Sequence, residues 1–75
     1  MKTVKENAEI YQNGKSILYG DEVSIKVIFR NLIGVNFQGK EYEDYIQHIA
    51  LKRGFVKGEI NLYIDKEFIN KGTIK

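Results

Sequence analysis

Asn13-Gly14 stands between two short arms in the stretch AEIYQNGKSILY, and it constrains the fold more than any other feature of the chain. Both central residues of a type I′ turn need positive φ, which Asn-Gly supplies at little cost. The stretch therefore predicts a β-hairpin. A two-residue loop fixes its register, with Gln12 opposite Lys15, Tyr11 opposite Ser16, Ile10 opposite Ile17 and Ala8 opposite Tyr19. Regular pairing then puts Ala8, Ile10, Ile17 and Tyr19 on one face, and Glu9, Tyr11, Ser16 and Leu18 on the other.

Further strands follow from period-2 patterning. In VSIKVIFR, residues 23–30, Val23, Ile25, Val27 and Phe29 alternate with Ser24, Lys26, Ile28 and Arg30. The run is rich in β-branched residues and reads as a strand. A helix is the rival reading, with Asp21 as its cap and Gly34 at its end, but it leaves Val23 and Val27 among polar residues. IGVNF, residues 33–37, reads as another short strand. EINLYID, residues 59–65, alternates again, DKE reads as a turn, and FINKGTIK as a last strand.

KEYEDYIQHIALKRG, residues 40–54, is the clearest helix. Acids at Glu41, Glu43 and Asp44 and bases at Lys52 and Arg53 both oppose the helix dipole. Gly54 suits the residue after the helix, with Phe55 as its hydrophobic partner. Tyr42, Tyr45, Ile46 and Ile49 have the spacing of a core-facing stripe. The resulting expectation is an α+β domain with a mostly antiparallel sheet of five to six short strands, in the order ββββαββ, and one helix at about 40–53. A small SH3-like or partly open β-barrel with one helix is the alternative. Residues 1–7 read as an N-terminal tail and residues 8–75 as a single domain, since 75 residues support one small core.

GVNFQGK, Gly34–Lys40, has the G-x-x-x-x-G-K spacing of a phosphate-binding loop. Three features oppose that function. Glu41 stands where the motif uses a magnesium-binding hydroxyl, and its charge repels phosphate at a helix start. Val35 and Phe37 read as residues seeking burial. Each βαβ unit of the required parallel sheet takes about 30 residues. The bland alternative, a turn into the helix at Gln38-Gly39, is preferred.

Other chemistries are thinly supplied. The chain has no cysteine and one histidine, His48, too few side chains for an ordinary zinc site. His48 reads as a helix-surface residue. Glu41, Glu43 and Asp44 read as a solvated helix start rather than a carboxylate pair or cation site. The chain therefore reads as a non-enzyme without cofactor or metal. No stretch approaches the roughly 18 apolar residues of a membrane span, so a cytoplasmic protein without membrane contact is expected. Abundant Ile, Lys, Asn and Tyr, with no Trp or Pro, suit an AT-rich bacterial or phage genome, and the small size suits an accessory protein of a phage or mobile element.

One helix covers one face of a sheet, so the second face is the candidate site. On these alternations it carries Tyr11, Leu18, Lys26, Ile28, Arg30 and Tyr63. Three outcomes are open to such a surface: curling into a small barrel, forming a homodimer, or binding a protein partner. Capture of a protein partner by a small regulatory module is the leading functional reading. A DNA or RNA binder is the alternative, using Lys26, Arg30, Lys52, Arg53 and Lys57 with exposed tyrosines. The net charge of +2, from twelve basic and ten acidic residues, is a weak nucleic-acid signature.

Overall fold

Asn13 and Gly14 take φ values of 55° and 75°, the left-handed pair that a type I′ turn requires. They join β1 (Ala8–Gln12) to β2 (Lys15–Gly20) in a computed structural model that describes residues 7–35 and 37–75. The expected tail at 1–7 lies, apart from Asn7, outside the described residues. Gln12 pairs with Lys15 and Tyr11 with Ser16, as the turn dictates. Beyond that the register slips. Ile10 pairs with Leu18 and Ala8 with Gly20, because Ile17 is an extra residue in a β-bulge. The expected pairings of Ile10 with Ile17 and Ala8 with Tyr19 are thereby corrected. Leu18 turns toward the core beside Ile17, and Tyr19 turns outward.

The segment expected as the strand 23–30 is a helix, α1 (Glu22–Leu32). The Ser24 N–H donates to Asp21 Oδ2 at 2.9 Å, the side-chain cap of an N-terminus. That bond holds the Asp21 carboxyl below the usual carboxylate range. Ile25, Phe29 and Leu32 are buried and Ile28 half-buried, an i, i+3, i+4, i+7 stripe that outweighs β propensity. Val23 and Val27 are left exposed on the polar side. Residues 33–35 form the turn after α1 rather than a strand, and Asn36 lies outside the described residues.

The second helix, α2, is α-helical over Lys40–Tyr45, π-helical over Ile46–Ala50 and α-helical again over Leu51–Arg53. It ends as its sequence predicts. Gly54 has φ of 95°, the Phe55 N–H donates to the Ala50 carbonyl at 2.9 Å, and the Phe55 ring is buried. Ile46 and Ala50 are buried, with Tyr42, Tyr45 and Ile49 half-buried beside them.

Two further strands, β3 (Gly58–Ile64) and β4 (Glu67–Ile74), complete an antiparallel sheet of order β2-β1-β3-β4. The described residues are thus α+β, ββααββ, with four strands among them rather than five or six, in an open sheet rather than a barrel. One sheet face supplies Ala8, Ile10, Ile60, Leu62, Ile64 and Ile74 to the core, where α1, α2 and Phe55 cover them.

Side-chain clips hold the layers together. The Tyr42 hydroxyl donates to the Leu32 carbonyl at 2.6 Å and accepts from the Lys75 N–H at 3.0 Å. It thereby ties α2 to the end of α1 and to the residue after β4. The buried amide of Gln12 makes two bonds to the backbone of Val56.

The β3–β4 turn carries a conformational cost. Asp65 and Lys66 have φ of 53° and 65° with no glycine between them. A lysine in the left-handed region costs roughly 1–2 kcal/mol, and glycine recovers this less its own unfolded-state entropy. Lys66→Gly is therefore expected to raise stability by about 0.5–1 kcal/mol, read as a higher urea midpoint. An unchanged or lower midpoint would show that the turn is unstrained.

Candidate functional site

The outer face of the sheet, opposite the helices, is built by strand register. Tyr19 pairs with Glu9, Glu9 with Tyr63, and Tyr63 with Phe68, so these four side chains form one row across all four strands. The next row is Ser16, Tyr11, Asn61 and Lys71. A second bulge, at Ile69, puts Phe68 opposite Tyr63 and so turns its ring outward.

Three of these aromatic rings touch. The Tyr11 and Tyr63 ring centroids are 5.0 Å apart, and those of Tyr63 and Phe68 are 5.7 Å apart, edge to face. Such pairs contribute about 0.5–1.5 kcal/mol each beyond area burial, so the tract is ordered before any ligand arrives. Tyr19 at 78% and Phe68 at 52% relative exposure still offer most of their surface to solvent. Polar groups around the rings are mutually engaged. The Ser16 hydroxyl donates to Glu9 at 2.7 Å, and Lys71 lies 3.8 Å from Glu59. The face is aromatic and faintly acidic.

Of the residues expected on this face, the fold brings together Tyr11 and Tyr63. Leu18 lies on the opposite side of the sheet, turned there by the bulge at Ile17. Lys26, Ile28 and Arg30 belong to α1 instead of a strand. Lys26 pairs with Glu22 at 3.2 Å, Ile28 packs on the core, and Arg30 is exposed in the last turn. Tyr19 and Phe68 were not expected. The turn-and-alternation pattern carries no mark of the two bulges that set their direction.

The cations of the nucleic-acid reading sit in the helical layer. Lys52 and Arg53 end α2, and Lys57 follows in the loop before β3, all three exposed. They are on different elements from the aromatic rows. Arg53 also acts on Tyr45. Burial pushes the Tyr45 hydroxyl up, against the opposing hydrogen bond with Asn31 and the Arg53 charge.

Gly34–Lys40 connects α1 to α2, so the strand that precedes a phosphate-binding loop is replaced by a helix. Its glycines have local tasks. Gly34 has φ of 82° beneath the Tyr42 ring, and Gly39 has φ of 58° as the N-cap of α2. Phe37 stacks on Tyr45 at 5.2 Å. His48 is exposed, and no three His, Asp or Glu side chains are grouped for a metal among the described residues. No helix is long and apolar enough to cross a membrane among those residues.

Several depressions mark the helical side, two of them beside the sheet-covering helices. One, of about 430 Å³, lies along α2 between Tyr42, Ile46, Lys57 and Lys75. The other, of about 250 Å³, runs between α1 and β4, over Phe29, Ile33, Leu62 and Ile69 with Lys26 and Arg30 at its rim.

The chain belongs to the family described as a domain of unknown function (DUF7688), whose model matches residues 7–75. No curated protein matches the chain, and no solved structure does.

Proposed function

We propose that this chain is a small, non-catalytic binding protein that captures a protein partner on its outer sheet face. The supporting observation is the aromatic tract on the outer face, the contacting rings of Tyr11, Tyr63 and Phe68 with exposed Tyr19 in the same row as Tyr63 and Phe68. Aromatic rings supply large contact area at small entropy cost, and they are enriched at interfaces where acids and lysines are depleted. Four strands about 4.8 Å apart, each some six residues long, give a face of roughly 300–400 Å². A standard interface buries about 800 Å² per partner, so this face suits a transient contact or one extended by its rim.

The test is affinity capture from the host, analysed for both protein and nucleic acid, with the wild-type chain and a Tyr19→Ser, Phe68→Ser double variant. Both positions are exposed, so the variant keeps its fold, which circular dichroism verifies. Loss of the captured protein by tenfold or more is expected. Equal capture by the folded variant would reject the face. Nucleic acid captured through Lys52, Arg53 and Lys57, with affinity falling steeply as salt rises, would replace the protein reading. Light scattering on the purified chain separates a partner from a second copy.

A further inference from the structure

We propose a second interaction surface: the groove between α1 and the outer edge of β4 takes an extended acidic peptide that adds to the sheet as a fifth strand. Three independent observations meet there. First, among the described residues β4 ends the sheet, and residues 67–71 are all exposed. The Lys71 N–H donates to the neighbouring Asn70 Oδ1 at 2.9 Å. That bond marks an amide directed away from β3, toward the position of a further strand. The pleat directs the Thr73 backbone the same way. Asn70 serves as a stand-in acceptor that an incoming carbonyl replaces.

Second, the groove beside this edge has an apolar floor of Phe29 and Leu62 and apolar walls of Ile33 and Ile69. The bulge turns Ile69 into it while leaving that side chain 46% exposed. A volume of about 250 Å³ lies below the roughly 300–1,000 Å³ of small-molecule sites. It fits one anchor side chain of a peptide.

Third, the rim is cationic. Lys26 and Arg30 line it, and no acid does among the described lining residues. Lys26 already has Glu22, whereas Arg30 has no ion pair among the described residues. Side chains two apart on a strand share a face about 6.6 Å apart. An aliphatic anchor with Asp or Glu two residues away therefore engages the groove and Arg30 together. This is strand addition, in which backbone bonds hold the peptide and pockets select alternate side chains. A second copy of the chain fits poorly. Antiparallel pairing of two β4 edges sets each Lys26–Arg30 rim against its symmetry mate. The groove and its cationic rim are on the opposite side of the sheet from the aromatic tract.

Selection of a displayed random nonapeptide library against the wild-type chain tests this. Enriched peptides are expected to alternate β-branched residues and to carry Asp or Glu two positions from an aliphatic anchor. Their binding should fall at least tenfold for Arg30→Glu, and Lys in place of the peptide acid should restore it. Lys71→Pro removes an outward amide without touching the β3 ladder and should fall similarly. Tyr19→Ser, on β2 at the opposite edge of the sheet, should bind unchanged, so the two surfaces fail separately. Amide resonance shifts should centre on residues 69–73 and α1. No enrichment, equal binding to Arg30→Glu, or shifts confined to the aromatic face would overturn the proposal, as would light scattering showing a dimer abolished by Lys71→Pro.

Discussion

Replacing Gly72 with alanine is expected to lower stability by about 1–3 kcal/mol, although a glycine inside a strand is ordinarily the weaker choice. Gly72 pairs with Ile60 on the core side of β4, and Ile33 at the end of α1 lies directly over it. A Cβ at this position would overlap the Ile33 Cγ2 methyl and lie 3.2 Å from Ile33 Cβ and 3.3 Å from its Cδ1. The branched side chain is stiff at χ1, and its Cβ moves only with the backbone. Relief therefore requires α1 to lift its last turn, which also carries the Leu32 carbonyl bound by Tyr42. Against total stabilities of 5–15 kcal/mol for ordinary domains, this is a large loss. Urea unfolding of the wild type, Gly72→Ala, Ile33→Ala and the double variant forms a cycle. Ile33→Ala should rescue Gly72→Ala, with a coupling of about 1–2 kcal/mol. Simple additivity, or a stabilising Gly72→Ala, would show that the close approach is not real.

The same contact shows where sequence reading stops. Asn13-Gly14 and Gly54-Phe55 are legible because turn and cap chemistry is local, and both behave as read. The run 23–30 is ambiguous because its β-branched residues satisfy period 2, while Ile25, Ile28, Phe29 and Leu32 satisfy the helical period. The Asp21 cap and burial against the sheet decide for the helix. That one exchange carries Lys26, Ile28 and Arg30 away from the outer face. The two bulges account for the rest. Each inserts one residue and so reverses the parity of the strand beyond it. Leu18 goes inward and Tyr19 outward at the first, and Phe68 takes its place opposite Tyr63 at the second. Tyr11 and Tyr63 lie on strands without an inserted residue, and alternation places them correctly. Gly72 has no turn to mark it, since its requirement arises from a helix more than thirty residues away in the chain.

Gln12 carries the other large expected effect. It continues the inward stripe of Ala8 and Ile10, and it is the one buried polar residue among those described, at 3% relative exposure. Its Nε2 donates to the Val56 carbonyl at 2.7 Å, and its Oε1 accepts from the Val56 N–H at 2.8 Å. The side-chain amide thus acts as a strand neighbour for one residue of the segment leaving α2. It fixes that segment where the adjacent Phe55 enters the core. Gln12→Leu keeps the bulk but leaves both Val56 groups without their Gln12 partner. Val56 is itself half-exposed, so the cost is at the lower end of the roughly 1–3 kcal/mol of an orphaned buried group. Gln12→Ala adds a cavity and should cost about 2 kcal/mol. Gln12→Glu separates the two bonds. A carboxylate still accepts from the N–H but faces the carbonyl with negative charge, so the fold favours its protonated form and raises its pKa. The sign follows from linkage. The folded state binds the extra proton, so the variant is closest to wild type below the ordinary glutamate range and weakens as pH rises through the raised value. Urea midpoints at about pH 4 and about pH 7 read this directly. A Gln12→Glu variant whose deficit is the same at both would show that the Val56 carbonyl is not held by this side chain.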